Sequence, residues 1–101
     1  MFVHVVLFWM KQDAPDGARE QLRHDCEQYL GKVPSVRQMW AGHAAMTPRE
    51  VVDNTYDVGL CVVLDDAAGH DAYQVHELHK QFIERNKANW KRVQIYDFKN
   101  S

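Results

Sequence analysis

The chain has 101 residues, 46% of them hydrophobic and 11% aromatic, which is enough for one domain with one core and too few for two. Its 12 Lys+Arg against 14 Asp+Glu, a formal net charge of -2 with no basic block, offer no broad attraction to a polyanion, so no nucleic acid partner is expected. The apolar opening has no charged flank, no small-residue cleavage site and too little length to cross a bilayer, so no membrane partner is expected and the chain reads as cytoplasmic. Cys26 and Cys61 lie far apart without C-x-x-C spacing and read as reduced thiols.

The opening "FVHVVLFWM" is continuously apolar and rich in β-branched and aromatic residues, as expected of a central strand buried on both faces. Alternation puts His4, Val6 and Phe8 on one side and Val3, Val5, Leu7 and Trp9 on the other, so His4 points into an apolar layer and needs a partner or a pocket there. After "KQDAPDG", Pro15 suits the first turn of a helix whose apolar positions are Ala18, Leu22, Cys26, Tyr29 or Leu30, and Val33. Gly31 and Pro34 limit its length.

"SVRQMWAGH" alternates weakly, Val36, Gln38 and Trp40 against Arg37, Met39 and Ala41, and predicts a more exposed strand. "AAMTPREVVDN" has no clear period and reads as a long loop, a natural lid or rim for a pocket. "TYDVGLCVVL" restores a strand, with Val58, Leu60, Val62 and Leu64 on one face. Asp65 and Asp66 can cap a helix over residues 66–86, and "WKRVQIYDFK" closes the chain as a strand with Val93, Ile95 and Asp97 on one side. The three tryptophans, Trp9, Trp40 and Trp90, suit a core or a subunit interface better than a stacking platform.

Strand, helix, strand, strand, helix, strand is the order of a ferredoxin-like α+β sandwich, a four-stranded antiparallel sheet with two helices on one face. Strands one and three are apolar on both sides, and a chain of this length has no third layer to cover the second face. A second copy would cover it, so a homodimer with sheets packed face to face is expected, forming a dimeric α+β barrel.

The motif "YQVHELH" concentrates candidate chemistry. On one helix over 66–86, Ala68, Ala72, His76, His79 and Ile83 form a stripe, with Val75 and Phe82 at its border and Tyr73 at its edge. A break near residue 75 would turn Tyr73 inward. His4, His76 and His79 thus converge between sheet and helices. Three histidines could hold zinc, but a bare H-x-x-H without a supporting carboxylate is a weak signal, and no metal and no cofactor are expected. Proton transfer fits better, since an imidazole titrates near neutrality and a tyrosine hydroxyl beside it can donate to a carbonyl oxygen. The plainer alternative is that each histidine only satisfies a backbone or side-chain neighbour.

"HVVLFWMK", "YDVGLCVVLDD", "AYQVHELHKQF" and "WKRVQIYDF", in this order, resemble the stress-responsive A/B barrel domain (Dabb) family over almost the whole chain. The resemblance implies a dimeric α+β barrel with its pocket between sheet and helices. Its plant polyketide cyclase member implies an aldol-type ring closure, with Tyr73 donating to the oxyanion and His79 taking the proton beside a carbonyl. It places His4 and His76 on pocket-lining positions, with Glu77 standing where the family's H-P-x-H has proline. Leu22 and Cys26 fall where the cyclase carries bulkier aromatics, implying a pocket of different shape. The expected binding wall therefore takes His4, Val6 and Phe8 from strand one, Leu22 and Cys26 from the first helix, His76 and Ile83 from the second, and Val93 and Ile95 from the last strand. The expected ligand is a small carbonyl or phenolic metabolite. A non-catalytic stress or ligand-binding module is the alternative, and looser resemblance adds cofactor-independent or haem-handling monooxygenases of the same architecture.

Overall fold

The computed structural model describes residues 1–100. Four antiparallel strands, β1 (Phe2–Met10), β2 (Val36–Gly42), β3 (Val58–Leu64) and β4 (Trp90–Lys99), form one sheet in the order β2-β3-β1-β4. Helices α1 (Ala18–Gln28), α2 (Ala67–Val75) and α3 (Glu77–Asn86) cover one face, making a ferredoxin-like α+β fold. The apolar β1 takes the centre of the sheet, where both edges of a strand find partners. Its register sets His4 opposite Val62 on one side and opposite Asp97 on the other.

The two faces of β1 are not equivalent. His4, Val6 and Phe8 are buried under the helices, while Val3, Val5 and Leu7 on the other face are only partly covered. The helix-side core joins Val6 and Phe8 to Leu22 and Cys26 of α1, to β3, and to Tyr73 and Phe82 of α2 and α3. The expectation that β1 is buried on both faces fails within one chain because the described residues cover the second only in part. On that open face Trp40, Tyr96 and Phe98 are each more than half exposed.

Local chemistry corrects several sequence expectations. Pro15 lies ahead of α1 rather than in its first turn. The helix starts only after Gly17, whose φ of 85° is a left-handed conformation that costs glycine little. In β2 a register shift between Val36 and Gln38 breaks the predicted alternation, so Val36 packs on the core together with Met39 and Ala41. The loop of residues 43–57 is no lid for the helix-side layer. It is tied to the end of β1, with Trp9 Nε1 donating to Thr55 Oγ1 at 2.9 Å and the Met10 amide to Asp57 Oδ2 at 2.8 Å. Its His43 and Tyr56 border a depression of about 360 Å³ on the open sheet face.

The helix expected over 66–86 is two helices. Asp66 caps α2 by accepting from the Gly69 amide at 2.8 Å, and the chain leaves helical geometry at His76, with φ -65° and ψ 145°. No proline enforces the break. Instead the His76 side chain caps α3, its Nδ1 accepting from the Leu78 amide at 3.0 Å. The single-helix stripe is thereby overturned: Ala68 and Ala72 are exposed, and Tyr73, predicted at the edge, is fully buried.

Candidate functional site

Between α2, α3 and the helix-side face of β1 and β4 lies a cavity of about 220 Å³. Its floor is His4, Val6 and Phe8, and its roof Tyr73, His79 and Ile83. Val93 and Ile95 of the edge strand complete the wall while remaining 37% and 45% exposed, so the mouth lies beside β4. Trp90, expected in the core or at an interface, closes another side by packing on Phe8 at a ring-centroid distance of 5.0 Å.

Three residues expected in the wall lie elsewhere. Leu22 and Cys26 are fully buried in the layer behind Tyr73, and burial pushes the Cys26 thiol up to about 12. His76 is spent on capping α3 and does not line the cavity, so the expected convergence of His4, His76 and His79 reduces to His4 and His79.

Tyr73 and His79 meet edge to face, ring centroids 4.9 Å apart. Among the described residues neither side chain has a hydrogen-bond partner, which leaves hydroxyl and imidazole free for a molecule in the cavity. Burial, with the nearby His4 and His70 rings adding to it, lowers the His79 pKa, so its neutral form is favoured; burial also holds the Tyr73 hydroxyl protonated. A neutral imidazole beside a neutral phenol can exchange a proton with a ligand or donate to its oxygen.

His4 has a different environment. Its Nδ1 lies 2.5 Å from Asp97 Oδ1, a pairing dictated by the β1–β4 register. Burial lowers its pKa and the Asp97 carboxylate partly restores it. Asp97 stands on this face with Val93 and Ile95, as alternation predicts. His70, which is not among the residues that the motif singles out, stacks its ring on Phe2 at 4.4 Å and sits 4.8 Å from that of His4. The available signal was spacing, for His70 stands one helical turn before Tyr73. Gln74, also in the wall, contacts His70 Nε2 at 3.0 Å. His4, His70 and Asp97 offer ligand atoms within 4.8 Å of one another and are the residues that could hold a cation, which would have to displace the His4–Asp97 hydrogen bond.

Among curated proteins no match was found. The fold is similar to that of a dimeric ferredoxin-like protein of unknown function from Thermobifida fusca, at 18% identity and a TM-score of 0.81 over 98% of this chain and 90% of the other. A Dabb family protein from Mesorhizobium loti aligns at 18% identity and a TM-score of 0.79, covering 99% and 96%. The hydroxynitrile lyase of Passiflora edulis aligns at 10% identity and a TM-score of 0.80, covering 99% and 93%. At these identities the likeness is one of fold. Residues 2–100, which carry both the sheet and the Tyr73–His79 cavity, match the family model described as the stress responsive A/B barrel domain, and the chain belongs to the Dabb family.

Proposed function

We propose that this Dabb protein binds a small carbonyl or phenolic metabolite in the helix-side cavity and carries out a proton-transfer step of the aldol or cyclisation type. The observation that carries the reading is the Tyr73–His79 pair, set 4.9 Å apart in a largely apolar cavity with no hydrogen-bond partner for either side chain among the described residues. Among the described residues, Trp90 Nε1 in the same wall is buried without a partner, and such a group is costly unless a ligand supplies one. In this scheme Tyr73 donates to the oxygen on which charge develops and His79 handles the proton. Val6, Phe8, Ile83, Val93 and Ile95 provide apolar contact and exclude water. That a neighbour in fold is a hydroxynitrile lyase supports the architecture's capacity for such chemistry, without naming this chain's substrate.

The same reading includes a homodimer, in which the open sheet face with Trp40, Tyr96 and Phe98 meets its copy. Neighbours described as dimeric support it.

A second reading has its own observation: His4 is satisfied by Asp97 and His76 by the α3 cap, so two of the three histidines have structural partners. On that reading the protein is a non-catalytic ligand-binding module. A thermal-shift screen of wild type and His79→Ala against phenolic acids, β-keto compounds, fatty acids and divalent metals separates the two. A ligand that binds only the folded state raises the melting temperature. Stabilisation by one organic class that is lost in the variant supports the first reading. No response to any organic compound leaves the histidines structural.

A further inference from the structure

His4 and His79 both line the cavity, yet only one of them is built to become an imidazolium. An aspartate carboxylate accepts hydrogen bonds and donates none, so the 2.5 Å contact requires the proton of neutral His4 to reside on Nδ1. The lone pair is then on Nε2. Asp97 lies opposite His4 across β1 and β4, so strand register rather than a mobile loop holds the two together. Among the described residues His79 has no carboxylate partner; the polar rings nearest it are Tyr73, His4 and His70. A positive charge formed there would be uncompensated, whereas one formed on His4 would sit against Asp97.

We infer that His4, held in one tautomer by Asp97, is the proton acceptor of this cavity, and that His79 and Tyr73 serve the oxygen. The assignment rests on the proton-transfer reading above and changes the division of labour within it. His4 Nε2 removes the proton from the carbon beside a carbonyl, the C–H electrons form the new carbon–carbon double bond, and the carbonyl π electrons move onto oxygen. Tyr73 hydrogen-bonds that oxyanion. After the enolate carbon attacks a second carbonyl of the same molecule, the proton on His4 passes to the alkoxide so formed, and the neutral imidazole is restored. Asp97 is a positioning residue: it fixes the ring and offsets the charge without meeting the substrate, the role of the carboxylate in a hydrolase triad. His70 and Gln74, packed from α2, are the other polar groups at this end.

The test uses 5-nitrobenzisoxazole, whose ring opens when a base removes its C–H proton, breaking the N–O bond and releasing a coloured phenolate. The small apolar probe needs no knowledge of the natural substrate. The expected result is catalysis above that of free imidazole, lowered at least about tenfold in both His4→Gln and Asp97→Asn. The pH midpoint should move in Asp97→Asn and stay at the wild-type value in the slower His79→Gln. Because His4 is buried and its replacement strains the fold, imidazole ¹⁵N spectra of wild type and Asp97→Asn supply an independent reading. They should show His4 protonated on Nδ1 at pH 7 and redistributed between tautomers in the variant. A midpoint that follows His79, a wild-type His4 protonated on Nε2, or a rate that requires added Zn²⁺ and His70 overturns the assignment. A wild type no faster than free imidazole, with the His4 tautomer as expected, overturns the proton-transfer reading itself and with it the role given to His4.

Discussion

Tyr73 and His79 face each other at 4.9 Å although six positions separate them in sequence, an interval that on an unbroken helix would set them about 120° apart. The break at His76 brings them together, and among the described residues its side-chain support is the His76 Nδ1 bond to the Leu78 amide. Loss of that cap in His76→Ala should destabilise the protein by about 1 kcal/mol, read as a lower urea midpoint. Ligand affinity should fall with it, since the pair depends on where α3 begins. An unchanged midpoint would show that packing alone positions the break.

Tyr73 separates packing from polarity. Its ring is wholly buried and its hydroxyl has no protein partner among the described residues. Tyr73→Phe should therefore alter unfolding free energy by less than about 1 kcal/mol, while any ligand that accepts its hydrogen bond binds more weakly. Tyr73→Ala should cost about 3 to 5 kcal/mol by opening a cavity against Leu22 and Cys26. Denaturation of the two variants side by side distinguishes these effects.

Stability should depend on pH in a defined direction. His4 and His79 both have folded-state pKa values below 6.5, so the unfolded chain binds protons more readily as pH falls through that value. Their contribution is fully present above pH 6.5 and is lost as pH drops through the lowered folded values. The urea midpoint should be lower at pH 5 than at pH 7.5, and His79→Gln should reduce the difference. A midpoint that rose on acidification would contradict both shifts.

Away from the cavity, Asp25 is buried between α1 and α3, accepting from Arg85 Nε at 2.7 Å and from Asn86 Nδ2 at 3.0 Å. Asp25→Ala removes hydrogen bonds to a charged group and should cost about 2 kcal/mol. Ligand binding in the variant should persist as long as it is folded. Chemical denaturation and a thermal-shift titration on the same sample check the two halves of this expectation.

The open sheet face gives the dimer its test. Trp40→Glu places a charge where a copy's sheet would pack, and should halve the apparent mass in sedimentation equilibrium from twice the 11.8 kDa of one chain. A wild type that already sediments at 11.8 kDa would remove the dimer from the proposal.

Much of the architecture was legible because short strands and amphipathic helices carry their periods in the chain. The apolar run Phe2–Met10 could only be a central strand, and the order of elements led to the ferredoxin-like sheet. The side of His4, the apolar wall of Val6 and Phe8, and the motif holding Tyr73 and His79 follow from the same local rules. What local periodicity does not carry is register and termination. Whether His4 faces Asp97 depends on how two strands 93 residues apart align, which long-range pairing decides. Where α2 ends depends on a histidine using its ring as a cap rather than as a pocket wall, an outcome settled by packing on both sides of the break. Sequence thus determined which residues share a face of β1, β3, β4 and α1, through spacing of about 2 and 3.6 residues, while only the tertiary structure decided where the second helix breaks, where β2 shifts register and which faces meet.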